Sequence, residues 1–327
     1  MPDAMGGDDL VVGIDLGGTK ALGVVLDPAS DDGPLLVQRV PTPRGADALI
    51  EALDGLAADL GKQARAHYGR GIGAVGLGAP GLVDRSGVFR FGANLPDVVD
   101  VNVADRLQEV VGVPVAVDND ATCAAWGEHE RGAARGRDHA ALVTLGTGIG
   151  AGFVVAGQIM RGAEGFAGEA GHMVVDPSGP ICPCGRRGCW ERFGSGRGLR
   201  RLGVEAAEAG IADRIVELAG GDTGDVQGEH VTQAAAEGDE QAQAVMASFG
   251  WWVALGIANL VDLFDPDVVV VGGGLVRAGS VVMDPIRAAY EGEAYGASHR
   301  RAVPIVQAEL GEQAGAVGAA LLGAARA

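Results

Sequence analysis

Six residues between positions 169 and 191 have the types and spacing to hold a metal and present carboxylates beside it. Cys182, Cys184 and Cys189 follow the pattern C-x-C-x4-C, and His172 lies ten residues upstream of the first cysteine. Thiolate and imidazole together suit zinc, and four such ligands close a tetrahedral shell with no open position, the signature of a structural site. Glu169 stands three residues before the histidine and Glu191 two after the last cysteine. A metal knot here would fix both acids in space.

A second polar group is Asp118-Asn119-Asp120, which ends the apolar run Val113-Pro-Val-Ala-Val117 and precedes a helix-like stretch, Ala121 to Gly132. Carboxylates at the C-terminal end of a strand stand where open α/β sheets bind ligands. Asp120 also reads as the cap of the helix that follows, although three adjacent polar residues exceed what capping needs.

Glycine turns recur after strands. Leu10 to Asp15 is apolar and runs into Leu16-Gly17-Gly18-Thr19-Lys20, and Ala21 to Leu26 is apolar again. His139 to Leu145 leads in the same way into Gly146-Thr147-Gly148-Ile149-Gly150, and Asp267 to Val271 into Gly272-Gly273-Gly274. Glycines can take positive φ and admit a ligand to the backbone, and successive free N–H groups cradle phosphate oxygens. The first turn is neither a Walker loop nor a dinucleotide fingerprint; alone, it reads equally as an ordinary hairpin. Two strand–turn–strand units, each opening its own half, predict a duplicated α/β architecture with phosphates held between the halves.

The elements that must position these groups follow from periodicity. Helices are predicted over Ala46 to His67, Val103 to Val111 and Gln241 to Phe264, the last an apolar core helix, and from Pro285 to Tyr290 and Gly311 to Ala325. Strands are predicted over Leu35 to Val40, Ile72 to Leu77 and Val303 to Leu310, with a loop at Gly220 to His230. Phe91-Gly-Ala-Asn94-Leu-Pro96 is a loop whose amide suits a polar ligand, or simply a turn.

The chain has 327 residues, 47% of them hydrophobic, enough for two domains with substantial cores. Its net charge of -18 repels nucleic-acid backbones, without excluding phosphates bound by backbone amides. The N-terminus lacks the features of a signal peptide, and the cysteines suit a reducing compartment, so a soluble, cytoplasmic protein without a membrane partner is expected. Cys123, alone in an apolar helical stretch, reads as core.

In order along the chain, Asp15-Leu-Gly-Gly-Thr-Lys20, Asp118-Asn-Asp120, Leu145-Gly-Thr-Gly-Ile-Gly150, Glu169-Ala-Gly-His172 and Cys182-Pro-Cys-Gly-Arg-Arg-Gly-Cys189-Trp-Glu191 resemble the ROK-family sugar kinases, and most of all their ATP-dependent glucokinases. The resemblance runs from Leu10 to the C-terminal helix. It implies the actin-like ATPase (ribonuclease H-like) fold: two α/β domains around a central cleft, a small one from residues 1–120 plus 311–327 and a large one over 121–310 that carries the zinc. It also implies phosphorylation of glucose to glucose 6-phosphate, with ATP and Mg²⁺ as cofactors and a structural Zn²⁺.

By position, Asp120 matches the general base, and Asn94, Asn119, Asp120, Glu169, His172 and Glu191 match residues on the sugar. His172, Cys182, Cys184 and Cys189 match the zinc ligands. Asp15, Gly17, Gly18, Thr19 and Lys20 match one phosphate turn, with Asp15 near hydrated Mg²⁺. Gly146, Thr147 and Gly148 match the other, and Gly272, Gly273 and Gly274 the adenosine region. Relatives commonly have glutamate at 118, a tryptophan soon after the 94–97 loop and leucine at 190. Fructose, mannose or N-acetylmannosamine as substrate, polyphosphate as donor, and a non-catalytic sugar-responsive protein or repressor are the alternatives. Family members are commonly dimers or tetramers, so a homo-oligomer is expected.

Overall fold

The computed structural model describes residues 9–92, 95 and 97–326. Asn94 lies outside the described residues. In chain order the elements are β1 (Leu10–Leu16), β2 (Lys20–Leu26), β3 (Leu36–Pro41), α1 (Ala46–Tyr68), β4 (Ile72–Ala79), β5 (Leu82–Val83), β6 (Val88–Phe91), β7 (Val101–Asn102), α2 (Val103–Val111), β8 (Val115–Asn119) and α3 (Asp120–Arg131). Next come β9 (Ala140–Leu145), β10 (Ile149–Val155), β11 (Gln158–Ile159), α4 (Glu191–Gly194), α5 (Gly196–Glu208), α6 (Asp213–Leu218), α7 (Gly228–Ala236), α8 (Glu240–Phe264), β12 (Val268–Gly272), α9 (Ser280–Tyr290), β13 (Ile305–Gln307) and α10 (Ala314–Ala324).

Two five-stranded sheets have the same topology, β3-β2-β1-β4-β8 and β11-β10-β9-β12-β13. Each has an antiparallel flank and a parallel one: β1 pairs antiparallel with β2 and parallel with β4, β10 antiparallel with β11, and β12 parallel with β13. The expected duplication is therefore present at the level of strand order. A small sheet, β5-β6-β7, stands beside them in sequence between β4 and α2.

The chain groups into two compact units, one of residues 1–142, 152–168 and 308–327, the other of 143–151 and 169–307. These limits differ from the boundaries at 120/121 and 310/311 expected from the sequence. The stretch 121–142 joins the first unit because α3 lies against α10 with glycines at the contact. A Cβ on Gly127 would come within 2.5 Å of Ala314 O, and one on Gly318 within 1.7 Å of Cys123 O.

In the first unit the sheet is covered on both faces. Leu10, Val12 and Ile14 face α1 through Leu49, Leu53, Leu56 and Leu60, whereas Val11, Val24 and Ala74 face Ala316, Val317 and Ala320 of α10. Burial on both faces explains why β1 and β4 are continuous apolar runs. The glycines they contain admit α10: a Cβ on Gly13 would stand 2.0 Å from Ala316 O and one on Gly76 1.7 Å from Ala319 O.

In the second unit β12 is buried throughout, and α8 packs against α7 and α9. Among the described residues α8 is the one helix long and apolar enough to cross a membrane, and 61% of its most apolar window is buried within the protein, as a core helix requires. Three predicted elements differ, the first being α9, which begins at Ser280, five residues before the expected Pro285. The loop at 220–230 already contains the start of α7, and the strand predicted over 303–310 is only β13, because the backbone N–H groups of Glu309 and Leu310 turn to the carboxylate of Glu128.

Candidate active site

Pairing register brings the first group of polar residues together. In the parallel strands β1, β4 and β8, Asp15 is opposite Gly78 and Gly78 opposite Asp118. The two aspartates therefore flank a glycine at the C-terminal end of the sheet, with Asn119 and Asp120 immediately beyond. Gly78 keeps this edge tight: a Cβ there would meet Asp120 Cα at 3.3 Å and Cys123 Sγ at 3.2 Å.

Asn119, and not Asp120, caps α3. Its Oδ1 accepts from Thr122 N at 3.0 Å, and its Nδ2 donates to Gly81 O at 3.1 Å. One amide proton and one lone pair remain for a ligand. With the cap supplied by its neighbour, Asp120 is the first residue of α3 and its Oδ1 accepts from Ala121 N at 2.8 Å. A carboxylate at a helix N-terminus is favoured by the exposed N–H groups there.

Asp118 is 7% exposed, and its Oδ2 accepts from Arg161 Nε at 2.6 Å. Arg161 carried no signal in the sequence beyond being a lone cation between Gln158 and Glu164. Asp15 is only partly exposed. Burial, then the charge of Asp120, push its carboxyl up to about 7, with Lys20 opposing. Gly315 makes room for it, since a Cβ there would lie 2.7 Å from the Asp15 carboxyl carbon. A carboxylate so poorly compensated suits a nearby hydrated cation.

Gly17, Thr19 and Lys20 form the β1–β2 hairpin, closed by Gly17 N donating to Lys20 O at 3.0 Å. Gly17 has an ordinary φ, so the expected left-handed backbone is not what glycine supplies there. A Cβ would instead stand 2.9 Å from Lys20 O. Thr42 ties the hairpin to the end of β3, through its Oγ1 to Gly17 O at 2.7 Å and its N–H to Thr19 O at 3.0 Å. Lys20 is exposed, with its Nζ 3.9 Å from Glu312.

In the second unit the four expected metal ligands converge. The donor atoms of His172, Cys182, Cys184 and Cys189 all lie within 4.8 Å of one another. Cys184 Sγ is 3.5 Å from Cys189 Sγ, and Cys182 Sγ is 3.8 Å from His172 Nδ1. Tetrahedral zinc with thiolates about 2.3 Å away sets ligand separations of this order, so the donor set fits the ion. Burial opposes ionisation of Cys184, but the N–H of Arg186 and the adjoining thiols outweigh it and bring the thiol down to about 6. Burial pushes Cys182 and Cys189 up, and a bound cation would reverse that.

His172 turns its other nitrogen, Nε2, to Glu169 Oε2 at 3.9 Å. One ring can thus hold metal through Nδ1 and present Nε2 elsewhere. Burial, opposed by His172 and assisted by Glu191, raises the Glu169 carboxyl above its usual range. Glu191 opens α4, with Oε1 3.0 Å from Cys182 Sγ and 3.8 Å from His172 Nδ1. Between Cys189 and Glu191, Trp190 is fully buried, packs its ring where a Cβ on Gly256 of α8 would stand and donates its Nε1 to Trp252 O at 2.8 Å. That anchors the chain on which Glu191 stands.

The turn at 146–150 meets three neighbours of the same unit. Gly146 N donates to Gly148 O at 3.0 Å, and Gly146 O accepts from Gly196 N, at the start of α5, at 2.8 Å. A Cβ on Gly148 would stand 2.5 Å from Glu191 Oε2, and one on Gly171 2.1 Å from Ile149 O. Gly273, at φ 88°, would bring a Cβ within 2.5 Å of Leu145 O. Gly272 ends β12 and Gly274 begins a short 3-10 turn. The third glycine run is thus demanded in part by packing on the second, a role that sequence reasoning missed.

Asp15, Gly17, Gly18, Thr19, Lys20, Asn119 and Asp120 accordingly belong to the first unit, and Gly146, Thr147, Gly148, Glu169, His172, the cysteines, Glu191 and Gly272 to Gly274 to the second.

Residues 11–326 match the ROK family. A glucokinase of Streptomyces coelicolor is 37% identical over 95% of this chain and 96% of its own length. A glucokinase of Thermotoga maritima is 35% identical over 85% and 86%. The crystal structure of a ROK family glucokinase from Streptomyces griseus in complex with glucose and AMPPNP superposes with a TM-score of 0.84, at 37% identity, covering 96% of this chain and 99% of that one. The fold is that of the actin-like sugar kinases, and the chain belongs to the ROK family.

Proposed function

We propose that this protein transfers the γ-phosphoryl group of ATP to the 6-hydroxyl of glucose. The observation that carries the reading is near-full-length similarity to a glucokinase crystallised with glucose and AMPPNP, in a chain whose strand register gathers Asp15, Asp118 and Asp120 at one sheet end. Asp120 accepts the 6-hydroxyl proton as that oxygen bonds phosphorus and the bond from phosphorus to the departing ADP breaks. Such transfers are driven by positioning and charge stabilisation, and a general base contributes about 10²–10⁴-fold.

Glu169, Glu191, His172 Nε2, the remaining valences of Asn119, and Asn94 bind the sugar hydroxyls. Gly17, Gly18, Thr19 and Lys20, with Gly146, Thr147 and Gly148, hold the triphosphate, and Gly272 to Gly274 the adenosine. Mg²⁺ near Asp15 supplies countercharge to the triphosphate. Zn²⁺ on His172, Cys182, Cys184 and Cys189 is structural, since those four ligands leave it no open position. We place the enzyme in the cytoplasm as a homo-oligomer.

A coupled assay across hexoses, with ATP or polyphosphate as donor, tests the substrate pair, and Asp120→Asn tests the base. Turnover should be greatest with glucose and ATP and fall at least 10²-fold in the variant. Near-normal turnover of folded Asp120→Asn would remove Asp120 from the role.

A further inference from the structure

The ion pair of Arg161 with Asp118 joins the end of β8 to the segment that leads into Glu169. Arg161 is 25% and Asp118 9% exposed at the side chain. The two carboxylate oxygens of Asp118 are divided: Oδ2 takes the guanidinium at 2.6 Å, and Oδ1 accepts from Asn119 N at 2.9 Å. The peptide that orients Asn119, and with it the first residue of α3, is therefore held by a side chain that Arg161 holds in turn. Beyond Arg161 the segment is seated on the same unit. Ala167 N donates to Arg161 O at 3.2 Å and Arg85 N to Glu164 O at 3.0 Å, and Gly165, at φ 106°, rests on Val83 O. Glu169 follows two residues after Ala167.

Charge supports the same reading. The ionisable groups gathered at this sheet end are Asp15 from β1, Lys20 from β2, Asp118 from β8, and Asp120 and Cys123 from α3, with Arg161 from the segment after β11. Arg326, after α10, borders the recess that Asp118 and Arg161 line. Lys20 is 61% exposed at its side chain, so Arg161 is the better-buried cation among three carboxylates. A charge in such surroundings acts more strongly than one in water.

We propose that Arg161 is a positioning residue for Asp120, acting through Asp118: it fixes the strand end that carries the base and offsets the Asp118 charge beside it. The inference rests on Asp120 being the base.

Its test uses full-length Arg161→Gln, Asp118→Asn and the double variant, with kcat and KM for glucose measured from about pH 5 to 9. Arg161→Gln should lower kcat by about 10–10²-fold, with KM changed far less. It leaves the Asp118 charge uncompensated, so the acid limb of kcat moves to higher pH. Asp118→Asn removes a negative charge while keeping the cation, so its limb moves to lower pH. The double variant returns the limb close to the wild-type position. Limbs unmoved in all three, with activity losses that follow melting temperature, would overturn the proposal and leave the pair purely structural. Should Arg161→Gln fail to fold, the direction of the Asp118→Asn limb decides. Inactive Asp120→Asn beside unshifted limbs sinks this proposal alone, whereas active Asp120→Asn sinks the base assignment itself.

Discussion

A Cβ on Gly148 would stand 2.5 Å from Oε2 of Glu191. The turn expected at the nucleotide and the carboxylate expected at the sugar are therefore in contact through a missing methyl group, inside one unit of the protein. The other oxygen of Glu191 lies 3.0 Å from Cys182 Sγ, beside the four expected metal ligands. Gly148→Ala should displace the carboxylate and raise KM for glucose about tenfold, equivalent to about 1.4 kcal/mol, with zinc content unchanged. Steady-state kinetics with metal analysis on the same sample checks this. An unaltered KM would mean that the turn, not the acid, gives way.

The imidazole of His172 makes a different forecast for the metal. Since Nδ1 faces Cys182 and Nε2 faces Glu169, loss of the ion frees the ring that Glu169 leans on. Cys184→Ser, or prolonged chelation, should release one zinc per chain and weaken glucose binding at least tenfold, while affecting ATP much less. A metal-free protein with wild-type affinity for glucose would sink the scaffold role.

How far these relationships were legible varied with their range. The helix Val103–Val111 is read to the residue, because Asn102 caps it through Asp105 N at 3.0 Å and Gly112 ends it, all local signals. The convergence of His172 with the three cysteines is legible because it is carried by residue type at short spacing. Asn119 as cap in place of Asp120 is a one-residue error of the kind that local propensity cannot resolve, both side chains being good caps. Arg161 on Asp118 and Glu128 on residues 309 and 310 are not legible. Each joins segments far apart in sequence, and an isolated arginine or a glutamate inside a helix reads as surface until its partner is known. The roles of Gly148 and Gly273 escaped for the same reason, since the atoms that forbid a Cβ there belong to Glu191 and Leu145.

Stability should depend on pH through Asp15. Burial and the neighbouring Asp120 raise its carboxyl to about 7 from a reference of 3.8, so between those values the folded chain holds a proton that the unfolded chain has released. The folded state is then the tighter proton binder, and this group's contribution to stability declines as pH rises from about 4 to 7. Asp15→Asn should accordingly raise the melting temperature at pH 8 relative to wild type, with much less gain at pH 5, and Mg²⁺ should narrow the difference by neutralising the wild-type carboxylate. Thermal melts at the two pH values, with and without Mg²⁺, check the sign. Equal gains at both would show that Asp15 is ionised throughout.

Glu128 carries the last prediction, about the joint between β13 and α10. It is fully buried, and its carboxylate accepts from Ala133 N at 2.8 Å, Glu309 N at 3.1 Å and Leu310 N at 2.8 Å. Three main-chain donors converge on one side chain, and two belong to the segment by which the chain re-enters the first unit. Removing the acceptor leaves three part-buried N–H groups without it, at up to about 1–3 kcal/mol each where water does not replace it. Glu128→Ala should therefore cost on the order of 3 kcal/mol in urea unfolding. Glu128→Gln should cost less, because its single carbonyl oxygen still satisfies part of the set, although its amide nitrogen then opposes a donor. Amide exchange at Glu309 and Leu310 should accelerate in both variants, more in the alanine. A small, equal loss in the two, with exchange at 309 and 310 unchanged, would mean that the segment is held by the packing of α10 and not by this carboxylate.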